Sequence, residues 1–187
     1  MAGTRDARRR ILEATAELVT AGGLDAATPA AIAERAGAGK MSLYRHFAGK
    51  DELVAEALAA RDLEYRAWLI GDPADGTARE RLLALFDRAA GRADHGGSRF
   101  IGCPYVNARL DLPDDDHPAA AVVAAHKDGM LRELTALLAE IGVPDPEQRA
   151  EILLMLLDGA VVHSVIRGNG DPVREARAAL PGLISGP

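Results

Sequence analysis

The chain has 187 residues, of which 48% are hydrophobic and 27% charged, which is enough for one ordinary domain or for a small module joined to a larger one. This composition excludes disordered and fibrous classes, and the single cysteine, Cys103, excludes an internal disulfide framework. The longest strongly apolar run, residues 152–157, is ended by Asp158 and is too short to span a membrane. The basic, amphipathic N-terminus is unlike a signal peptide, so we expect a cytoplasmic protein.

The net charge of −6 is unevenly distributed along the chain. Residues 1–50 hold 8 Lys and Arg against 5 Asp and Glu, a net charge of +3, while residues 51–187 hold 14 against 23, a net charge of −9. A basic head on an acidic body is typical of a small polyanion-binding module joined to a separate regulatory or assembly domain.

The first predicted element is a helix that starts at about Thr4. Apolar side chains between Ile11 and Val19 recur at helical spacing. The pair Gly22 and Gly23 then supplies a C-cap, so the sequence predicts that the helix ends there.

Two short helical patterns follow. Thr28 before Pro29 is typical of an N-cap with proline at the first helical position, and Gly37 ends this second helix after about eight residues. Residues 40–47 form the third helix, on which Leu43 lies four residues before the aromatic residue that ends the pattern. Two short helices joined by three or four residues that include glycine are typical of a helix-turn-helix.

The second helix is too short to be stable alone, so it must pack against the first helix. The apolar residues expected at this contact are Ile32, Ala33, Leu43 and Phe47. Packing in this way leaves the other side of the third helix in solvent, and that side is narrow and polar enough to enter a major groove. It comprises Lys40, Met41, Ser42, Arg45 and His46.

The stretch RRRILEATAELVTAGGLDAATPAAIAERAGAGKMSLYRHFAGKDELV, residues 8–54, resembles the N-terminal DNA-binding domain of the TetR family of transcriptional regulators. The segments RILEA, AIAERAG, LYRHF and GKDEL occur in the family's order, and together they are far more specific than a helix-turn-helix pattern alone. The resemblance implies an all-α protein. Its helix-turn-helix DNA-binding domain would occupy residues 1–48, and its helical effector-binding and dimerisation domain residues 49–187.

The resemblance also implies which side chains meet the DNA backbone. Lys40, Tyr44, His46 and Lys50 would contact phosphates, and Thr28 would touch the backbone from the start of the second helix. Such contacts position a protein on DNA without specifying a sequence. The alternative is that Thr28 is only a helix cap, Tyr44 a core aromatic residue and the basic residues a solvated face.

Base readout would come from the side chains that point into the groove. Met41, Ser42 and Arg45 are the candidates, with Arg45 directed to guanine and Met41 to a thymine methyl group. One residue departs from the family pattern, which often has serine or threonine just before this helix. Gly39 takes that place here and brings no hydroxyl group, which puts one backbone contact in question.

The rest of the chain is predicted to be helical as well. Helical periodicity covers about 50–70, 77–93, 104–111, 118–141, 146–167 and 172–184, and the breaks are rich in Gly, Pro, Asp and Asn. No segment shows sustained two-residue alternation, so no strand is expected. The predicted fold is all-α with about nine helices, in an N-terminal three-helix DNA-binding domain and a helical C-terminal domain.

The helix predicted at 146–167 contains ILLMLLDGAVVHSVI, which is apolar on nearly every side. Such a helix is buried all round, so a second subunit is the simplest cover for one of its faces. The resemblance implies the same, because the last two helices of the family usually form a four-helix bundle between subunits. The helix at 172–184 would then turn Val173, Ala176, Ala179 and Leu180 inward. The alternative is that both helices belong only to the core of a monomer.

The resemblance further implies a small-molecule pocket in the C-terminal domain, with mostly apolar walls and a few polar groups. Residues 101–112 hold three of the candidates on a short segment of the kind that lies across a pocket mouth. The alternative is that these side chains are ordinary core residues. The candidates are Trp68, Phe86, Cys103, Tyr105, Asn107, His126, Met130, Met155 and His163.

No metal site, cofactor or catalytic motif is expected. The run of acids at 114–116 with His117 is better interpreted as a helix start before Pro118 than as a metal cluster, because consecutive carboxylates cannot all turn toward one ion. His126 and His163 lie on separate predicted helices with no third ligand near either.

Three functions remain open on the sequence. The leading one is a dimeric repressor, bound to a palindromic operator of double-stranded DNA and released by an unknown small-molecule effector. The second is a DNA-binding dimer whose body has no effector. The third is an enzyme, for which Cys103 with His117 or His126 is the only nucleophile and base pairing that the sequence offers. We expect a protein that is not an enzyme.

Overall fold

The structure is a computed structural model that describes the backbone of residues 2–184 and the side chains of residues 6–184. Nine α-helices and no strand occur over the described backbone, which confirms the all-α fold class. The helices are α1 Ala2–Ala26, α2 Pro29–Ala36, α3 Lys40–His46, α4 Lys50–Ile70, α5 Ala78–Gly96, α6 Pro104–Asp111, α7 Pro118–Ile141, α8 Pro146–Arg167 and α9 Asp171–Ile184. None of these described helices combines the length and the apolar character that a bilayer span requires.

The predicted end of the first helix is only partly right. Helix α1 continues to Ala26, but its backbone leaves the helical region at Gly22 (φ −155°, ψ 20°) and at Gly23 (φ 72°, ψ −169°). The positive φ of Gly23 is one that side chains with a Cβ rarely adopt. The glycine pair therefore makes a kink, and a last helical turn follows it before α2.

The caps of α2 form as its sequence indicates. The hydroxyl oxygen of Thr28 accepts a hydrogen bond from the backbone N–H of Ala31 at 3.2 Å, and Pro29 follows as the first helical residue. At the other end, Gly37 has left-handed backbone angles (φ 58°, ψ 40°), and its N–H closes the last turn. These local signals fix the length of α2 at eight residues.

The described residues form two compact units. One comprises the residues up to Leu63 together with Cys103–His126, and the other comprises Glu64–Gly102 and the residues from Lys127 onward. The first unit thus holds α6 and part of α7 in addition to the helix-turn-helix. Compactness does not define function, and the functional division between residues 48 and 49 stays a prediction.

The core of the second unit lies among α5, α8, α9 and the later part of α7. Leu82, Leu85, Leu138, Leu153 and Leu180 are each at most 1% exposed there, which is the close packing expected of a protein interior. Helix α9 packs on both α5 and α8. The sequence predicts four inward residues on α9. Val173, Ala176 and Leu180 are buried, whereas Ala179 is exposed, so the prediction for Ala179 is wrong.

Asp94 joins the end of α5 to the start of α9. Its Oδ1 accepts a hydrogen bond from the N–H of Gly170 at 2.7 Å, and its Oδ2 pairs with Arg174. A Cβ on Gly170 would lie 2.4 Å from the carbonyl oxygen of Ala90, so only glycine allows this approach of α9 to α5. The Gly170 N–H, and next the Arg174 guanidinium, hold the pKa of Asp94 below its usual value.

Replacing Asp94 by alanine should lower the Tm by a few degrees at neutral pH, because the Gly170 N–H loses its acceptor. A lowered pKa in the folded state stabilises the fold above the unfolded-state pKa of about 3.9, and this contribution disappears as the pH falls through the lowered value. The Tm difference between the native chain and D94A should therefore shrink below about pH 4. Thermal denaturation followed by circular dichroism at several pH values measures it.

The matched control is Asp128→Ala, an exposed aspartate of α7 that makes no hydrogen bond or ion pair within the described part of the chain. We expect D128A to leave the Tm nearly unchanged at every pH. A D94A difference that stays constant into the acid range would contradict the electrostatic origin of the stabilisation.

Candidate nucleic-acid interface

Helices α1, α2 and α3 pack against one another in the first unit. Ile32 is fully buried, and Ala33, Leu43 and Phe47 are each no more than 6% exposed, as the sequence predicts. Ile11 of α1 is fully buried as well. Because α2 and α3 have only eight and seven residues, this shared core is what keeps them helical.

The face of α3 that points away from this core carries four of the predicted DNA contacts. Met41 is 74% exposed and Tyr44 is 58% exposed, and Lys40 and Arg45 are exposed as well. His46 is half-buried. The exposure of Tyr44 excludes the alternative that it is a core aromatic residue.

Ser42 does not lie on that face. It is only 8% exposed, so the prediction that it belongs to the exposed side of α3 is wrong. Ser42 directly precedes the buried Leu43, and in a helix of seven residues packed against two others the buried stripe covers both positions. The predicted base readers that are open to solvent are thus Met41 and Arg45.

The positive charges of α3 differ from those of α1 and α2 in their pairing. Arg9 pairs with Asp6 and Glu13, and Arg35 pairs with Glu17. The exposed cations of α3, Lys40 and Arg45, form no ion pair with any side chain that the structure describes. A phosphate or a base edge can therefore be bound by these two residues without breaking an existing salt bridge.

Two predicted phosphate contacts already have structural hydrogen bonds. Thr28 accepts the capping bond of α2, and Lys50 donates from Nζ to the carbonyl oxygen of Leu24 at 2.9 Å. A hydroxyl group can still donate while it accepts, and an ammonium group has three protons to donate. The proposed phosphate contacts of both residues therefore remain predictions that this geometry permits.

Arg8 is a residue whose position the sequence did not indicate. Its guanidinium carbon lies 5.0 Å from the centre of the Phe47 ring, and it pairs with Glu56 on α4. The side chain thus connects α1, the end of α3 and α4. No local pattern links a residue to partners about forty and fifty positions later, so only the fold shows this contact.

Gly39 is the N-cap of α3, and it makes no side-chain capping bond. Its backbone angles (φ −71°, ψ 147°) lie in the extended region that any residue adopts. A Cβ at this position would have no heavy atom within 4 Å. The glycine is therefore replaceable here without strain, unlike Gly23.

Four predicted effector residues lie in the first unit. His126 is 2% exposed, its Nδ1 is 2.6 Å from Oδ1 of Asp62, and its ring stacks on Tyr105 with 3.7 Å between centroids. The Tyr105 hydroxyl donates to the Leu58 carbonyl at 3.1 Å. Cys103 and Asn107 are half-buried.

The imidazole of His117 is also engaged. Its Nδ1 accepts a hydrogen bond from the N–H of Ala119 at 3.1 Å, so the proton of the neutral ring lies on Nε2, which faces Oδ1 of Asp51 at 3.3 Å. His117 is thus the cap of α7, as the sequence indicated for this segment.

The remaining five effector candidates lie in the second unit, so the predicted set does not fall within one compact unit. Phe86 and Met130 are 1% and 2% exposed and belong to the apolar core. Trp68 is 45% exposed and packs beside Tyr65. Met155 and His163 are exposed on α8.

One face of α8 is apolar and exposed in the single chain. Its side chains form two groups on the same side of the helix, Ile152 with Met155 and Val162 with Val165 and Ile166, and Gly159 lies between the two groups. This stripe is not buried by the rest of the described chain, and exposed apolar stripes of this kind mark interaction surfaces. We define the α8 seam as Ile152, Met155, Val162, Val165 and Ile166, which are 41%, 64%, 50%, 40% and 75% exposed.

Two family descriptions match the chain. Residues 11–57 match the bacterial regulatory proteins of the tetR family, and residues 117–186 match the tetracyclin repressor-like C-terminal domain. The first match contains α2, α3 and the start of α4. The second contains α7, α8 and α9 in full.

A curated relative covers most of the chain. The HTH-type transcriptional repressor KstR of Mycolicibacterium smegmatis is 43% identical over 185 residues, an alignment that covers 83% of this chain and 88% of that protein. A KstR from Rhodococcus jostii is 44% identical over 55 residues, which covers 29% of this chain.

Solved structures share the fold over almost the full length. A TetR-family transcriptional regulator from Streptomyces coelicolor is 28% identical, with a TM-score of 0.79 and coverage of 96% of this chain and 95% of the other. The reduced form of Escherichia coli NemR has a TM-score of 0.86 at 21% identity and covers 97% and 98% of the two chains. The similarity to NemR concerns the fold alone.

The open space at Gly39 leads to a prediction with opposite signs for two substitutions. Gly39→Ser supplies the missing cap of α3 and should raise the free energy of unfolding by about 0.3 kcal/mol, whereas Gly39→Ala should lower it by about 0.5 kcal/mol. Urea denaturation of both variants measures this difference. If G39S and G39A shifted stability in the same direction, the added hydroxyl group would not be capping α3.

Proposed function

The chain belongs to the tetR family of bacterial regulatory proteins and is a DNA-binding transcriptional regulator; we propose that it represses transcription from a palindromic operator and is released by a small-molecule effector. The observation that carries the proposal is the exposed face of α3, where Lys40 and Arg45 have no ion-pair partner among the described side chains. The Mycolicibacterium relative is a transcriptional repressor, which supports repression as the sign of regulation.

The roles of the side chains on this face follow from their chemistry. Arg45 would donate to the N7 and O6 acceptors of guanine, and Met41 would contact a thymine methyl group. Lys40 and Tyr44, with His46 and Lys50, would hold phosphates and set the position of α3 in the groove. Ser42 is left out of the reading set because it is buried.

We assign the C-terminal region, residues 49–187, to dimerisation and effector binding. The α8 seam supports a homodimer through α8 and α9, since a two-fold pair would bury an apolar stripe that a single chain leaves exposed. Two copies of α3 would then read half-sites about one helical turn apart, or somewhat farther, in a palindrome.

The effector would act by binding the DNA-competent and the released conformation with different affinity. Tyr105 and His126 are the best-defined polar groups among the nine candidates. Their rings stack on each other, and each side chain has its own hydrogen-bond partner, Leu58 for Tyr105 and Asp62 for His126. A buried polar group that loses its hydrogen bond costs free energy, so a ligand that rearranges these two hydrogen bonds would also change the stability of the conformation that contains them. Members of the family are generally not enzymes, and the regulator would act in the cytoplasm without a cofactor.

Selection of bound duplexes from a randomised DNA pool tests this function. We expect a palindrome, and log Kd on the selected duplex should depend steeply on log salt because several phosphates are contacted. Replacement of Arg45 by alanine should cost about 1–3 kcal/mol on the selected duplex and should relax specificity at one base pair of each half-site. Fluorescence anisotropy on a set of single-base variants measures both effects.

Arg35→Ala is the matched control, because it removes the same charge from α2, where Arg35 is paired with Glu17. R35A should change affinity little and should leave base preference intact. Recovery of no sequence motif by the native chain would overturn the proposed function. An equal loss by R45A on all sequences would make Arg45 a phosphate contact instead.

A single charge in the α8 seam should prevent the proposed dimer from forming. Ile166→Glu places a carboxylate where 75% of the side chain is exposed in the single chain, so the monomer should keep its fold while association weakens by at least tenfold, or about 1.4 kcal/mol. Sedimentation equilibrium measures the association. Leu63→Glu is the control, since Leu63 is 73% exposed but lies outside the seam. A dimer unaffected by I166E would place the interface elsewhere.

A further inference from the structure

The backbone of Leu24 is held from two sides at the junction between α1 and α2. Its N–H donates to Oδ2 of Asp111, the last residue of α6, at 3.0 Å, and its carbonyl oxygen accepts from Nζ of Lys50, the first residue of α4, at 2.9 Å. We call these three residues the Leu24 clamp. It fastens the α1–α2 junction to two other helices through charged side chains, whose hydrogen bonds are stronger than neutral ones.

The junction is shaped to admit the Asp111 carboxylate. A Cβ on Gly23 would lie 2.6 Å from Oδ2 of Asp111, closer than the two atoms can approach. Gly23 also has the positive φ of 72° that turns the Leu24 N–H away from the helix. Two independent constraints, backbone angle and space, thus require glycine where the carboxylate docks.

A second contact fastens the same part of the chain a few residues later. Nε2 of His117, the cap of α7, faces Oδ1 of Asp51 at 3.3 Å, and Asp51 follows Lys50 at the start of α4. The segment from Asp111 to His117 is therefore attached to α1 at one end, through Leu24, and to α4 at the other, through Asp51. In the chain, these two helices come directly before and after α2 and α3. Helix α6 also packs along α1, and all of these residues belong to the first compact unit.

We propose that Asp111 is a positioning residue for DNA binding: through the Leu24 clamp, the end of α6 fixes the orientation of α2 and α3, and operator affinity depends on this contact. The inference rests on the proposed DNA-binding function. Leu24 lies four residues before Thr28, the cap of α2, so the clamp holds the chain immediately before α2 begins.

The direction in which DNA affinity changes when Asp111 is removed distinguishes the clamp from a simple charge effect. Removing an aspartate near a DNA-binding surface removes repulsion from phosphates, so electrostatics alone predicts unchanged or tighter binding. Loss of the clamp predicts the reverse. Asp111→Ala should weaken affinity for the selected operator about fivefold, while the slope of log Kd against log salt stays the same because no phosphate contact is lost.

Asp114→Ala is the matched control for this charge change. Asp114 is exposed in the connection between α6 and α7 and makes no hydrogen bond or ion pair with the described residues. D114A should bind the operator as tightly as the native chain or more tightly. Equal affinities for D111A and D114A would overturn the proposal, as would tighter binding by D111A.

Hydrogen exchange of the full chain without DNA tests the clamp separately from the proposed function. The Leu24 amide should exchange faster in D111A than in the native chain, and amides of α8 should be unchanged. Unchanged exchange at Leu24 would overturn the clamp, whereas failure of the native chain to select any operator would overturn the proposed function alone.

A variant of similar shape keeps the test decisive if D111A folds poorly. Asp111→Asn keeps an oxygen acceptor but loses the charge, so its effects on exchange at Leu24 and on operator affinity should lie between those of the native chain and of D111A. Native operator affinity of a folded D111N whose Leu24 amide exchanges faster than in the native chain would overturn the proposal, because the contact would then be weakened without an effect on DNA binding.

Discussion

The dependence of α3 on its neighbours governs the rest of the DNA-binding region. A helix of seven residues cannot offset the cost of its own nucleation, so its conformation comes from the burial of Leu43 and Phe47 against α1 and α2. That burial uses one side of the helix completely and also covers Ser42. A single narrow face of α3 remains exposed. Packing alone therefore decides which residues of α3 are available to contact DNA.

Ion pairing then separates the positive charges by role. Arg8, Arg9 and Arg35 are bound by carboxylates of their own or a neighbouring helix, and Arg8 also lies over the Phe47 ring. The cations of α3 lack such partners among the described residues. Surface pairs are individually weak, but each paired arginine must give up a partner before it binds a phosphate. The pairing pattern therefore favours the proposed binding of DNA through α3.

The sequence was most informative where signals are local. The bounds of α6, α7 and α8 were predicted to the residue, because each begins with proline and is followed by a turn-forming stretch. The sequence predicts a helix end at Gly22 and Gly23, where the structure has a kink within α1, because a glycine pair is typical of both a helix end and a kink. Contacts between distant residues, such as Asp111 with Leu24 or Arg8 with Phe47, leave no mark in a single sequence. The effector candidates follow from residue type and from the resemblance of their helices to those around the family's pocket, and neither separates the core residue Phe86 from the exposed Met155.

The short α3 and the α8 seam both bear on how tightly the protein can bind DNA. A single head has few groups for phosphate contact, and residues 51–187 carry a net charge of −9, so one head alone would bind DNA weakly. Two heads held at a fixed spacing make the second binding event intramolecular, which raises affinity without any further contact to DNA. The proposed dimer would bury the apolar stripe that a single chain leaves exposed on α8. It would also make operator affinity depend on the separation of the two heads, because both must reach their half-sites at once.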